Sequence, residues 1–397
     1  MEVSKKIFVV NDLHPIEMQG AATIAYNYHD ALMKRHDSSF YCGSKKNSLS
    51  TQDREFFLGV DFPDCLLDHR IFRRICSQLS RIIITSSFLI RIIRSRPDFV
   101  WFHQMGQRFG FITIVLVKLL GVKTFVTFHD FGGIKKGKLY PHDLSLSNDD
   151  VDGWISQQLI NNNPIPEFKS FNFRNFLRKN FLKRFIRRFY IRTITKYFAD
   201  RMLYISNLQK IIYVSFGFEQ GCIFPNPIEP CDCALLEVRR YDSTRSALFA
   251  GRAIGKGLEK IAGAISSTGF ILHLAGKVEL LTRAQNYLPH DRIVYHGEVS
   301  RQELFRIIHS VDLVCVPSMC FDVYPTITLE SLSHGTPVLT HRTCGGTDAF
   351  PSNLVYLQAY GGPINLDDFQ LSKIDKFTTN TVLEMIIELE RMFRELE

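Results

Sequence analysis

Two series of short apolar runs alternating with helical patterns, separated by a proline-dense break, constrain this chain more than any other feature. In Phe224-Pro225-Asn226-Pro227-Ile228-Glu229-Pro230 the closely spaced prolines exclude both a helix and a central strand, so the segment is a linker. Before it, Lys5 to Val10, Asp98 to Phe102, Lys123 to Phe128 and Met202 to Ile205 read as short buried strands. The first is followed by a loop containing Gly20 and then by a helical pattern with Ile24, Tyr28, Ala31 and Leu32 on one face. Beyond the linker, Ser246 to Ala250, Ile271 to Ala275, Arg292 to Tyr295, Leu313 to Val316 and Pro337 to Thr340 read as strands with helical segments between most of them. The expected architecture is α/β in two units, with ligands favouring the carboxyl ends of parallel strands that face a cleft. The expected divisions are 1–224, a linker over 225–240, a second unit over 241–375, and an amphipathic helix within 376–397 carrying Val382, Met385, Ile386, Leu389 and Phe393 on one face.

A length of 397 residues is long for one hydrophobic core, which agrees with two units. The N-terminal residues do not read as a secretory signal. The longest apolar stretch, Phe109 to Phe128, is broken by Lys118 and Lys123 and reads as a buried helix followed by a strand. Nine cysteines without a C-x-x-C pair point to reduced thiols and a cytosolic setting. The net charge of +8 is concentrated. Between Lys169 and Arg201 nine further basic residues interleave with Phe173, Phe176, Phe181, Phe185 and Phe189, and the one acid is Asp200. Arg73 to Arg96 has a similar mixture.

The densest chemistry lies in Pro317 to Glu330. A strand ends at Val316, a loop carries Asp322, and Pro325 stands where a helix can begin. Glu330 then falls in the second turn, and its side chain leans toward the helix N-terminus. Both carboxylates can face the space above the strand ends, beside the open N–H groups around Thr326, a site suited to phosphate. A ligand that has hydroxyls for carboxylates and phosphates for amides is a nucleotide sugar.

These residues resemble the retaining glycosyltransferases of family four, the glycosyl transferases group 1. Asp322 and Glu330, followed by Ser331-Leu332-Ser333-His334-Gly335-Thr336-Pro337-Val338, look like that family's E-x7-E and E-A-x-A-x-G-x-P-V signatures, with Asp322 for the first Glu and serines for the alanines. Gly251-Arg252 with Lys256-Gly257 resembles its G-R…K-G element, and Phe128-His129-Asp130 its H-D element. Gly20 stands at its Gly-Gly loop, with Gln19 for the first glycine, and Asn226 at its P-N-G element, with Pro227 for the glycine. The resemblance implies two facing Rossmann-like domains with a cleft between them (the GT-B fold) and transfer from a UDP- or GDP-linked sugar without a metal. It also implies roles: Glu330 on the ribose, Arg252 and Lys256 on the diphosphate, Asp322 and His129 on the sugar, with Gly20, Tyr324, Pro325 and Thr326 lining the donor site.

Asp150-Val151-Asp152 matches the D-x-D pattern that holds a divalent metal in the other large glycosyltransferase fold. Its polar surroundings read as a solvated loop, and no cluster has convincing metal-ligand spacing. The segments 169–201 and 73–96 suit an anionic membrane surface. No recognition motif for nucleic acid accompanies the charge. Together with the family's habits, these segments lead to the expectation of a lipid-linked glycan acceptor, cell-surface polysaccharide assembly and a peripheral place on the inner face of the membrane. A nucleotide-sugar epimerase on the same fold, and a binding protein that has lost catalysis, are the competing readings.

Overall fold

The structure is a computed structural model that describes residues 4–15, 20–44, 54–60, 70–135, 137–144, 146–161, 181–227, 245–251, 254–347, 350, 355–360, 362–364, 366 and 381–396. In its first half the strands are β1 (Lys6–Asn11), β2 (Asp37–Cys42), β3 (Glu55–Phe57), β4 (Phe99–Phe102), β5 (Lys123–Phe128), β6 (Arg201–Tyr204) and β7 (Cys222–Ile223). The helices between them are α1 (Ala21–Met33), α2 (Arg70–Ser95), α3 (Ile112–Leu119), α4 (Asp150–Asn161), α5 (Phe181–Phe198) and α6 (Asn207–Ser215). All pairings in this sheet are parallel, in the order β3-β2-β1-β4-β5-β6-β7. The continuous apolar character of strands such as Phe99-Val100-Trp101-Phe102 follows, because both faces are covered.

The second sheet contains β8 (Ser246–Ala250), β9 (Ile271–Ala275), β10 (Ile293–Gly297), β11 (Leu313–Val316), β12 (Val338–His341) and β13 (Val355–Gln358). Its order is β10-β9-β8-β11-β12-β13, again parallel throughout. Helices α7 (Leu258–Ser266), α8 (Glu279–Ala284), α9 (Arg301–Ser310) and α10 (Thr326–Ser333) cover it, and α11 (Val382–Arg394) closes the described chain. In each sheet the strand order reverses direction once, between β1 and β4 and between β8 and β11. Loops diverge at such points and leave room for a ligand at the strand ends.

The last helix does not stay with the half that precedes it. Met385, Ile386, Leu389, Met392 and Phe393 of α11 pack beside α1 on the first sheet, with Phe393 stacked on Phe99 at 4.1 Å between ring centres. Each side chain buried in this way contributes about 1.5–3 kcal/mol. Thr381 caps the helix in a reciprocal pair with Glu384, while Arg35 and His36 bond the buried Glu390. On the opposite face of the first sheet, Ile84, Phe88 and Ile92 of α2, Ile114 and Val117 of α3, and Ile191 and Ile194 of α5 form the core.

The loops at the carboxyl ends of the two sheets touch. Leu139 and Phe321 form an isolated antiparallel bridge, Ser206 Oγ donates to the carbonyl of Val323 at 2.6 Å, and Tyr360 N donates to Asp152 Oδ2 at 2.8 Å. That last contact corrects one expectation. Asp150 and Asp152 lie in the first turn of α4 rather than in a solvated loop. Negative charge is favoured at a helix N-terminus, and Ser147 Oγ donates to Asp150 Oδ2 at 2.5 Å.

Candidate active site

At the reversal point of the second sheet, β8 ends at Ala250 and β11 at Val316. The loop after β8 turns at Gly257, whose φ of +80° and close approach to Pro317 exclude a side chain: a Cβ there would lie 2.1 Å from the Pro317 carbonyl oxygen. This tight turn brings Lys256 onto the loop that follows β11, where its Nζ donates to Asp322 Oδ2. Burial alone would push the Lys256 ammonium down, but the Asp322 carboxylate beside it more than offsets this and holds it above an ordinary lysine. Asp322 itself is fixed by its backbone, with its N–H donating to Thr343 O at 2.9 Å and its carbonyl accepting from Gly345 N at 2.7 Å. Arg252 falls outside the described residues.

Pro325 is the N-cap of α10, so the helix starts where the proline allowed it to. Tyr324, Pro325 and Thr326 are half-buried, and Glu330 is buried one turn further on. Burial pushes the Glu330 carboxyl up, opposed by Arg301, whose Nε lies 3.5 Å from Oε1. Arg301 opens α9 and had no signal in the sequence, because its partner lies 29 positions away.

The first sheet contributes from the ends of β1, β4 and β5. Gly20 has φ +85° at the start of α1, with open space where a side chain would be. His129 follows β5 and is half-buried, and burial lowers its pKa to about 4. Its Nε2 lies 2.8 Å from Nδ1 of His103, which follows β4. Asp130, beside it, opens on solvent yet is hemmed in by neighbouring atoms. That crowding raises its carboxyl, against Gly132 N–H and Arg187, which lower it.

Three residues that the sequence does not mark as part of the site hold this rim in place. Asp12 accepts the backbone N–H groups of Gln107, Arg108 and Phe109 at 2.6, 3.1 and 2.7 Å. Burial nevertheless pushes its carboxyl up to about 6. Arg81 of α2 donates to the carbonyls of Gly106 and Gln107, and Arg187 of α5 to that of Gly132. The basic helices therefore anchor the loops beside His103 and His129.

The outer faces of those helices are apolar and basic. Phe72, Ile75, Leu79, Ile82, Ile83, Ile90 and Ile93 of α2 are exposed, and the helix carries six arginines and no acid. Next to α2 lies α3, with Ile112 and Leu119 exposed, and next to α3 lies α5, with Phe185, Ile186 and Phe189 exposed. By length and composition α2 could cross a membrane, although its inner face packs on the sheet. The part of the basic segment over 162–180 lies outside the described residues. The apolar stretch from Phe109 to Phe128 is α3 followed by β5, as its two lysines indicated. Among the described residues no group of three metal-ligating side chains converges.

Residues 238–355, which include β8 to β12 and the Lys256, Asp322 and Glu330 site, match the family model described as glycosyl transferases group 1. A search of curated proteins found no match. Among solved structures, this chain is similar to the apo form of the lipopolysaccharide outer core galactosyltransferase WaaB, with 15% identity, TM-score 0.62, and coverage of 98% of this chain and 99% of that one. It is also similar to sucrose-phosphate synthase from Thermosynechococcus elongatus, with 12% identity, TM-score 0.66 and coverage of 99% of both chains. A third is Anabaena HepE in complex with UDP, with 11% identity, TM-score 0.62, and coverage of 98% of this chain and 100% of that one. The matched segment thus sits in a GT-B fold of two Rossmann-like units, as the resemblance implied.

Proposed function

We propose that this chain is a retaining glycosyltransferase that moves a sugar from a nucleotide-sugar donor to a lipid-linked glycan acceptor. The observation that carries the reading is the Lys256–Asp322 pair at the reversal point of the second sheet, with Glu330 buried on α10, the helix that follows Asp322. When the bond to the leaving diphosphate breaks, negative charge grows on its oxygens. Lys256 and Arg252 are the cations that stabilise this charge as it develops. Glu330 takes the ribose hydroxyls. Asp322, now held by Lys256, takes a sugar hydroxyl once the ammonium turns to phosphate. His129 meets the sugar from the other half.

HepE is described in complex with UDP and with UDP-glucose, and a UDP- or GDP-linked donor is our reading for this chain. The two cations make a divalent metal unnecessary. The acceptor reading rests on the face formed by α2, α3 and α5. Its exposed apolar residues, and the arginines of a helix without acids, complement an anionic bilayer. Our reading is therefore a peripheral enzyme on the cytoplasmic side of a membrane, acting in the assembly of a cell-surface polysaccharide.

The test mixes the purified protein with UDP-, GDP- and dTDP-sugars with and without chelator. Donor hydrolysis or transfer that persists with chelator is expected. Sugar isomerisation would favour the epimerase, and binding without turnover an inactive relative. Salt-sensitive flotation with anionic liposomes is expected as well, and its absence would remove the membrane from the proposal.

A further inference from the structure

His103 and His129 follow adjacent parallel strands, and their rings lie edge to edge and nearly coplanar, 5.1 Å between centres with 14° between planes. The 2.8 Å contact from Nδ1 of His103 to Nε2 of His129 needs one hydrogen, and two arrangements supply it. In one, His103 donates from Nδ1, and His129 carries its own proton on Nδ1. In the other, His129 donates from Nε2, and His103 carries its proton on Nε2. The environment of His103 separates them. Its ring is 1% exposed and lies against Trp101 at 4.3 Å and Tyr28 at 5.9 Å between centres. Its Nε2 is buried and has no hydrogen-bond partner among the described residues. A proton there would be a buried N–H without an acceptor, the rarer kind of orphan, whereas a bare ring nitrogen among aromatic rings forgoes less.

We propose that His103 is a positioning residue that holds His129 in the tautomer with its proton on Nδ1, so that His129 offers an N–H donor to an oxygen of the bound substrate. Nδ1 of His129 makes no hydrogen bond to the described residues, and the residue is only half-buried. Burial keeps both imidazoles neutral at neutral pH, so the pair exchanges no charge with solvent there. His129 then acts as a neutral donor and not as a base. The tautomer of a histidine is set by the bond that its other nitrogen makes, and here that bond comes from a ring that is itself locked by packing.

The identity of the oxygen as one of a nucleotide sugar rests on the proposed function, but the tautomer does not. Nitrogen-15 NMR of the full chain with labelled histidines, assigned with His129→Gln and His103→Asn, reads it directly without turnover. The expected spectrum has a protonated Nδ1 and a bare Nε2 on His129. A protonated Nε2 with a bare Nδ1, or an even mixture, overturns the proposal. In His103→Asn the amide nitrogen can donate from nearly the same place, and this variant should keep the wild-type tautomer and turnover. His103→Leu should lose the bias and about tenfold in kcat, with KM for the donor within about twofold. Equal loss in the Asn and Leu variants would reduce His103 to a packing role. A chain with the expected spectrum and no sugar transfer would defeat the proposed function and leave the tautomer lock intact.

Discussion

The two halves share a topology and differ in what they turn outward. In the second half, α9 buries Phe305, Ile307 and Ile308 and shows solvent Arg306 paired with Glu303 at 2.9 Å. Its exposed large apolar residues, such as Ile254, Val278 and Tyr287, are scattered. In the first half, α2 buries Ile84, Phe88 and Ile92 and still leaves a second apolar stripe outside, with arginines and no acids. Scattered apolar residues on a surface are ordinary, whereas a continuous stripe flanked by one sign of charge marks a contact surface. The family-model match and the Lys256–Asp322 pair lie in one half, and the exposed apolar and basic face lies in the other.

Changes in the second half should therefore strike turnover and spare membrane binding. Lys256→Ala is expected to lower donor turnover by about 10²- to 10³-fold, because it removes charge stabilisation from the leaving diphosphate. Initial-rate measurements check this, and turnover preserved to within a few-fold would refute the phosphate role. Glu330→Gln should raise KM for the donor by about 10- to 100-fold, the range of a hydrogen bond to a charged group.

Changes in the first half outside the His103–His129 pair should spare turnover and act on stability or on membrane binding. Folding raises the Asp12 pKa from 3.8 to about 6, so the folded chain holds more protons between those values and stability falls as pH climbs through that window. Asp12→Asn removes this component. Its amide also leaves a backbone N–H without a proper acceptor, which costs about 1–3 kcal/mol. Thermal unfolding of both proteins between pH 4 and 7 reads the two effects together. Ile75→Glu with Ile82→Glu should weaken binding to anionic vesicles by about tenfold while donor hydrolysis is kept, since both side chains lie on the outer stripe. The smallest effect is expected for Asp150→Ala, with transfer within about twofold, as for surface substitutions generally. A large, metal-dependent loss would mean that the D-x-D pattern had been misjudged.

Much of the site could be read from the residues because it is local. The loop after β11 and the start of α10 lie in one stretch, and Pro325, Thr326 and Glu330 stand as spacing and helix geometry required. The expected strands from Ser246 to Ala250, Ile271 to Ala275 and Leu313 to Val316 match β8, β9 and β11. Strands with weaker signals were missed. Asp37 to Cys42 begins with polar residues, and Glu55 to Phe57 is three residues long at the sheet edge. His103 went unnoticed as a lone histidine after an aromatic strand, although His129, in the same position on the next strand, stood out for its resemblance to a known element.

Periodicity follows from backbone geometry, so the sequence alone determined the strongly apolar strands and the helices between them, where the prolines break the chain, and that α2, α5 and α11 have apolar stripes. Which stripe is buried depends on whether a sheet face is left to cover, and that is a tertiary matter. α11 found the open face beside α1 and buried its stripe, with Arg391 on its outer side bonded to Glu388 and Glu395. α2 had one sheet to cover and two apolar faces, so one of them stayed outside. The same division holds in the site. Spacing placed Asp322 and Glu330, but only folding brought Lys256 onto Asp322 across 66 positions and His103 onto His129 across 26. Contacts at such separations depend on strand order, which no local pattern encodes.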